Sequence, residues 1–527
     1  MARRLTEVVL ILVVLAAATG EVQAQAPVPK VTITGLFDQV TSAGRNIYDG
    51  NFSRSSESEW YARTRFRPDF TLEVGRTKAV LGLEMDLQYG QTGANDGSFG
   101  AGVAAGTQKP GVTGQLDLNN DIAGIIEIKW VYAEFDLTGK NSLLPFIPVE
   151  TRARAGGQPF GSAATFKSTY ATGDFAGLTL TTTWMPAIKT NVIFVQSEEE
   201  TANVKRAVPP ITRGNDFALI LSPDIEPIKG LTIKPLYSYF HADGTTSGAS
   251  RRSAVNPNSV GGNIANAPAL PNAASIQEDR HTVGFDARWR FGPFSLDPTV
   301  FYQWGTRDSV AFRSGGIRRV EGDTHAWLVD VQGGWQLGPL LLEARAIYTT
   351  GNKARDDLSR GVRYFEPLDV DNTYYAGWAN ILSLSIDYLN GIGIQNGNMT
   401  SNIGYDRYGR AAFGARATYA LTPALSFYGI VSPTWTAEKV DTDTGQAGPL
   451  RTIVTGQSFT KGNSRYIGTE ADLGLTWRFA PNTTFDLVGA YLFAGSALDT
   501  LEIVNGVPTK REAEDGWTVA ARVRLSF

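Results

Sequence analysis

Residues 517–527 read Trp517-Thr518-Val519-Ala520-Ala521-Arg522-Val523-Arg524-Leu525-Ser526-Phe527. Taken in twos they give one face of Trp517, Val519, Ala521, Val523, Leu525 and Phe527. The other face carries Thr518, Ala520, Arg522, Arg524 and Ser526, so the strand is apolar on one side and wet on the other. Such a strand could edge a soluble sandwich. The same pattern recurs along the chain behind an export signal, and together these predict an all-β fold, a transmembrane antiparallel barrel. Its lipid face needs the apolar set, and its lumen tolerates the arginines.

The export signal is expected at residues 1–24. Arg3 and Arg4 form a basic start, Val8 to Ala18 an apolar core, and Val22-Gln23-Ala24 a small-residue cleavage site. The apolar core is too short to cross a bilayer as a helix, and no later stretch has the roughly 18 apolar residues such a helix needs. Residues 25–527 then read as one barrel with long external loops. The chain has no cysteine, which rules out a disulfide framework. Its 48 basic and 52 acidic residues nearly balance, which argues against a nucleic-acid partner.

Going outward from the last strand, Trp60, Ala62, Thr64 and Phe66 alternate with Tyr61, Arg63, Arg65 and Arg67. The next strand sets Ala79, Leu81, Leu83, Met85, Leu87 and Tyr89 against Glu84 and Asp86, so opposite charges can pair across the hairpin. From 126 to 137 the apolar parity shifts once, which predicts a β-bulge near Trp130 and Val131 and keeps Glu127, Lys129, Glu134 and Asp136 inward. Glu150, Arg152 and Arg154 follow on the inner face, and Gly156-Gly157 is expected to end that strand. Further strands are expected near 166–172, 177–185, 214–222, 230–240, 280–291, 294–305, 325–337, 339–350, 410–419, 424–433, 466–479 and 483–494.

Tight turns such as Arg290-Phe291-Gly292-Pro293-Phe294 and Gln336-Leu337-Gly338-Pro339-Leu340 lie at one end of these strands. Long polar connections, about 90–121, 186–213, 242–278, 306–323, 351–370 and 436–464, lie at the other. Barrels put short turns on the periplasmic rim and long loops outside. Residues 371–406 lack a clean period; 18 strands are expected, with none there, and 20 follow if they hold a hairpin. Sixteen follows if 166–172 and 177–185 are one element or part of an internal loop.

The chain resembles Gram-negative outer-membrane porins. Val31-Thr32-Ile33-Thr34-Gly35-Leu36-Phe37-Asp38 is similar to their first strand, and the terminal Phe527 to their assembly signal. The resemblance implies a diffusion channel in the outer membrane, often a homotrimer, with one long loop folded inward to narrow the pore. The Pro-Glu-Phe-Gly-Gly type of constriction motif is not found, which leaves the constricting loop open. The inward arginines and acids also resemble the lumen of alginate-export barrels.

Side chains cannot fill a barrel of 16 to 18 strands, so a channel for small hydrophilic solutes is expected. Its pore-lining candidates are the cations Arg63, Arg65, Arg67, Arg152, Arg154, Arg522 and Arg524, and the acids Glu84, Asp86, Glu127, Glu134, Asp136, Glu150, Glu470 and Asp472. Facing rows of these charges would make a transverse field, with the arginine forks favouring anionic groups; alternatively the charges satisfy one another and keep the lumen wet. Trp60, Tyr89, Trp130, Trp289, Trp304, Trp335, Trp477, Tyr491 and Trp517 are expected on outward faces, those at strand ends forming interface girdles. His241, His281 and His325 have no companion at ligand spacing. No metal, cofactor or catalytic group is expected. Export of an acidic polysaccharide is the alternative function, and a structural surface protein the alternative class.

Overall fold

The computed structural model describes residues 28–47, 52–53, 58–89, 126–167, 169–198, 216–243, 275–313, 316–354, 356, 360–368, 378–383, 408–442 and 462–527. The export signal expected at 1–24 lies outside them. Neighbouring strands pair antiparallel in chain order: β1 (Lys30–Arg45), β2 (Ser58–Val74), β3 (Thr77–Tyr89), β4 (Ile126–Thr138), β5 (Glu150–Pro159), β6 (Asp174–Met185) and β7 (Ile188–Glu198). The meander continues through β8 (Asp216–Ile228), β9 (Leu231–Asp243), β10 (Ser275–Phe291), β11 (Phe294–Arg313), β12 (Gly316–Leu337) and β13 (Leu340–Thr349). The two-residue β14 (Gly361–Val362) lies parallel to β12. The wall resumes with β15 (Arg410–Ala420), β16 (Leu425–Val440), β17 (Ser464–Ala480) and β18 (Thr483–Ala494). It ends, past a small hairpin of β19 (Thr500–Val504) and β20 (Val507–Arg511), in β21 (Gly516–Ser526).

The last strand pairs with β18 on one side and with β1 on the other, so the sheet closes. With β14, β19 and β20 set aside, eighteen strands form a closed antiparallel barrel, the count favoured from the sequence. Closure removes every backbone edge, which a structure in lipid requires. At the seam, Phe527 donates its amide to Gly35 O at 3.0 Å and accepts from Gly35 N at 2.8 Å. Its ring stacks on Phe66 with centroids 5.9 Å apart. Trp517, Val519, Val523, Leu525 and Phe527 are exposed, whereas Thr518, Ala520 and Arg522 are buried, as the alternation of residues 517–527 requires. Leu81, Val131, Leu219, Leu342, Phe413 and Leu473 extend the exposed apolar set around the outside. A wall apolar outside and charged inside spans a membrane.

Most turns at one rim are short, including 75–76, 186–187, 292–293 and 338–339. Gly292 and Gly338 take φ of +60° and +57°, the left-handed first position that two-residue hairpin turns ask of glycine. At the other rim the expected 306–323 connection is instead strand, since β11 and β12 stay in register out to Arg313 opposite Gly316. β1 likewise runs on to Arg45, well past Asp38.

Three further expectations are corrected. Residues 166–172 are not a strand; they belong to an inward-folded connection, and the missing wall strand is β7, inside the expected 186–213 loop. Ile193 and Val195 of β7 face inward and are buried, so apolar residues occupy both of its faces and the period of two is lost. Gly156-Gly157 does not end β5, which runs to Pro159. The bulge near Trp130 is present, with register slipping between Gly82–Trp130 and Leu83–Ile128, but it turns the Trp130 indole inward rather than outward. A Cβ on Gly82 would sit 2.0 Å from Trp130 Nε1, so only glycine fits beneath the ring. Of residues 371–406, only 378–383 are described, as turns without strand.

Candidate functional site

The inner face has two unlike regions. On β2 to β5, with Asp38 of β1 and Asp486, Arg522 and Arg524 at the seam, most inward charges meet an opposite charge on a neighbouring strand, although Glu127 stands opposite Glu84. Arg65 makes a two-pronged contact with Asp86, Nε to Oδ1 at 2.7 Å and Nη2 to Oδ2 at 2.6 Å, and reaches Glu84 at 3.0 Å. Arg67 Nε also reaches Glu84, at 2.9 Å. Lys129 lies 3.7 Å from Glu84 and 3.2 Å from Asp174. Arg154 donates to Glu134 at 2.8 and 3.1 Å. At the seam Arg522 pairs with Asp486 at 2.7 Å, and Arg524 Nε donates to Asp38 at 2.6 Å. The period of two places every second side chain of neighbouring strands side by side, and that is what converts the sequence's alternating signs into a lateral zipper.

Arg152 is the exception on this wall. Its contacts with Asp136 and Glu134 are long, 3.3 and 3.4 Å, and its side chain is 56% exposed, against 8% for Arg65. It borders a cavity of about 650 Å³ whose lining mixes Arg76, Arg154 and Lys189 with Glu134, Asp136, Glu150 and Asp224, and includes Phe160, Gly161, Ser162 and Ala163.

The other region, β6 to β13, is largely filled, apart from the cavity-lining residues of β6 to β8 such as Thr181, Thr183, Lys189 and Asp224. Ile193, Val195, Ala218, Ile220, Leu236, Phe240, Phe301, Ala326, Leu328 and Ile347 point inward from the wall and pack on Phe160, Ala164, Tyr170 and Ala171 of the 160–173 connection and on Phe365 and Leu368 of the 350–409 connection. The described parts of both connections, 160–167 with 169–173 and 360–368, therefore fold into the barrel. Polar anchors fix the first. Asp286 Oδ2 accepts the amides of Phe166 and Lys167 at 2.6 and 2.9 Å, while its Oδ1 accepts from Thr299. Lys167 Nζ donates to the carbonyls of Asp297 and Asp330, and Ser222 donates to Ala164 O. Burial pushes the Lys167 ammonium down, against the pull of Asp330 and Asp286. Glu366 anchors the second connection: it accepts from Arg280 at 2.6 Å and from Arg307, and both arginines also bond Glu278, all four side chains being buried.

Of the residues singled out from sequence, Arg63, Arg65, Arg67, Glu84, Asp86, Glu127, Glu134, Asp136, Arg152, Arg154, Arg522 and Arg524 share the charged wall. Glu470 and Asp472 lie apart from its ion pairs and hold the 378–383 turn instead. Trp60, Trp335, Trp477, Tyr491 and Trp517 are exposed on the outward side, and Trp289 and Trp304 stack there on Phe291 and Tyr302. The side chain of Tyr89 lies outside the described residues. The three histidines, solitary in sequence, are drawn to one outward surface, where His281 Nδ1 meets the Tyr237 hydroxyl, His325 Nδ1 the Tyr302 hydroxyl and His241 Nδ1 Asp279. Sequence reasoning missed the anchors Lys167, Asp286 and Glu366, and Asp330, which is itself held by Arg345 Nη2 at 2.8 Å. The signal for Asp286 was the polar parity of β10, where it shares one face with Glu278, Arg280 and Thr282.

No protein-family model matches the chain, and no curated protein does. Solved structures do. The chain is similar to outer-membrane porins of Pseudomonas. The matches include Pseudomonas aeruginosa OccK8 (OprE), with 12% identity, 94% of this chain and 98% of that one covered, and a TM-score of 0.46. They also include Pseudomonas aeruginosa OpdQ, with 11%, 95% and 97% and a TM-score of 0.46. A BenF-like porin from Pseudomonas fluorescens has 9%, 94% and 98% and a TM-score of 0.46.

Proposed function

We propose that the chain is a passive channel of the Gram-negative outer membrane for small hydrophilic solutes, with anionic groups preferred at Arg152. The observation that carries this reading is the asymmetry of the lumen. Two inward connections fill the β6 to β13 half, while the charged wall still borders a cavity of about 650 Å³. The outward apolar set and the closed edge suit a bilayer, and the short and long rims suit the periplasmic and external sides. A permeating solute then meets a wall whose acids and bases compensate one another, which keeps it wetted without a strong net field. Arg65 and Arg67 are engaged by Glu84 and Asp86, so the anion preference belongs to the exposed fork of Arg152 with Lys189 near by.

Planar-bilayer recording in a salt gradient tests this. Discrete conductance steps are expected, with a reversal potential on the anion side that moves toward neutrality in Arg152→Gln and hardly at all in Arg65→Gln. An absence of steps would remove the channel, and an equal shift in both variants would remove the role given to Arg152.

A further inference from the structure

Glu470 and Asp472 stand two residues apart on the inner face of β17, and both are buried to within 1%. Glu470 Oε1 accepts the amides of Asn380 and Ile381 at 2.7 and 2.8 Å, and its Oε2 accepts that of Leu382 at 2.7 Å. Asp472 Oδ2 accepts from Asn380 Nδ2 at 2.8 Å and from the Asn380 amide at 3.2 Å. Three successive backbone N–H groups thus close on one carboxylate, and the Ser383 hydroxyl turns back to the Ala379 carbonyl. Ala379, Ile381 and Leu382 pack with Ile467, Ala490 and Leu492 of the wall.

Among the described residues, the groups facing the two carboxyls are uncharged: Ile430 and Ser432 from β16, and Ala490 and Leu492 from β18. Arg416 of β15, on the far side of Ile430, stacks over Trp378 at 4.3 Å and is held by Glu343 at 2.6 Å. Asp472 Oδ1 is buried without a hydrogen-bond partner among the described residues, which leaves it as the oxygen to carry a proton beside Glu470. Two adjacent buried carboxylates without a counter-charge do not both ionise.

We propose that Glu470 and Asp472 share one proton and with it latch the 378–383 turn against the lumen wall, so that the turn is released as pH rises. The sign follows from the proton count. The latched state holds a proton that two solvated carboxyls lack at neutral pH, so latching takes up a proton, and the latched-to-released ratio falls about tenfold per pH unit. Release swings part of the 350–409 connection away from the wall. This would regulate the channel read above, and it rests on that reading only for its consequence.

The chain has no cysteine, so Ser383→Cys is a unique thiol at a buried place on the latch. Its modification by a sulfonated thiol reagent is followed from pH 6 to pH 9 in the otherwise wild-type protein and in an Asp472→Asn background, where a carboxamide replaces the shared proton. Because the intrinsic ionisation of the thiol is common to both, the ratio of the two rates isolates the latch. At least a tenfold rise in that ratio is expected. A constant ratio would overturn the proposal. In Glu470→Ala, with folding checked by the heat-modifiable gel mobility of the barrel, fast labelling is expected already at pH 6, and slow labelling there would also overturn it. The readout does not involve conductance, so the latch and the channel reading fail separately.

Discussion

The β1 to β5 wall and the β6 to β13 wall are built from the same alternating strands, yet their inner faces solve opposite problems. The first faces water and neutralises its charges sideways, strand to strand. The second faces protein and buries apolar side chains against two connections folded into the lumen, keeping charge only where a loop must be tied down. The difference shows that a barrel's inner face is written by what lies against it. It also predicts that charges on the two walls differ in worth, because an ion pair sealed by a loop loses its solvent while one on the open wall keeps it.

The largest effect should come from the sealed side. Glu366→Ala leaves Arg280 and Arg307 with Glu278 as their shared carboxylate, and removing one partner from a buried ionic group costs about 3–5 kcal/mol. Urea unfolding of the refolded barrel measures it, and an unchanged midpoint would mean that the connection is not held there. Arg65→Ala, on the open wall but with its fork nearly covered, should cost about 2–3 kcal/mol, the range for hydrogen bonds to charged partners. Asp286→Ala strands the Phe166 and Lys167 amides for about 1–3 kcal/mol. Its sharper readout is conductance, which should rise as the 160–173 connection leaves the lumen. Arg152→Ala should cost no more than about 1 kcal/mol, since its contacts are long and solvated. A cost for Arg152→Ala equal to that for Arg65→Ala would erase the distinction between covered and open positions.

These two walls also explain what could be read in the sequence. The open wall was legible because lipid on one side and water on the other impose a period of two: Trp60 to Arg67, Ala79 to Tyr89 and Trp517 to Phe527 have their faces assigned by chemistry alone. β7 was not legible, because Ile193 and Val195 answer to Phe160 and Tyr170, which are remote in the chain. The 306–323 stretch was not legible as strand either, and Arg307 within it is buried against Glu278 and Glu366 of remote segments. The seam pairs Arg522–Asp486 and Arg524–Asp38 needed the register of closure, which sequence periodicity does not contain. Trp130 was misplaced by a single residue, since the bulge near Lys129 turns over everything that follows it.

The central claim is that solute passes along the charged wall and not through the filled half. Single cysteines in the natural cysteine-free chain test it most directly, with Glu150→Cys on β5 at the cavity and Ala326→Cys in the apolar packing, each exposed to a sulfonated thiol reagent during bilayer recording. The account predicts that conductance falls when the thiol at position 150 is modified and stays unchanged at position 326. Block at 326 with none at 150 would contradict it.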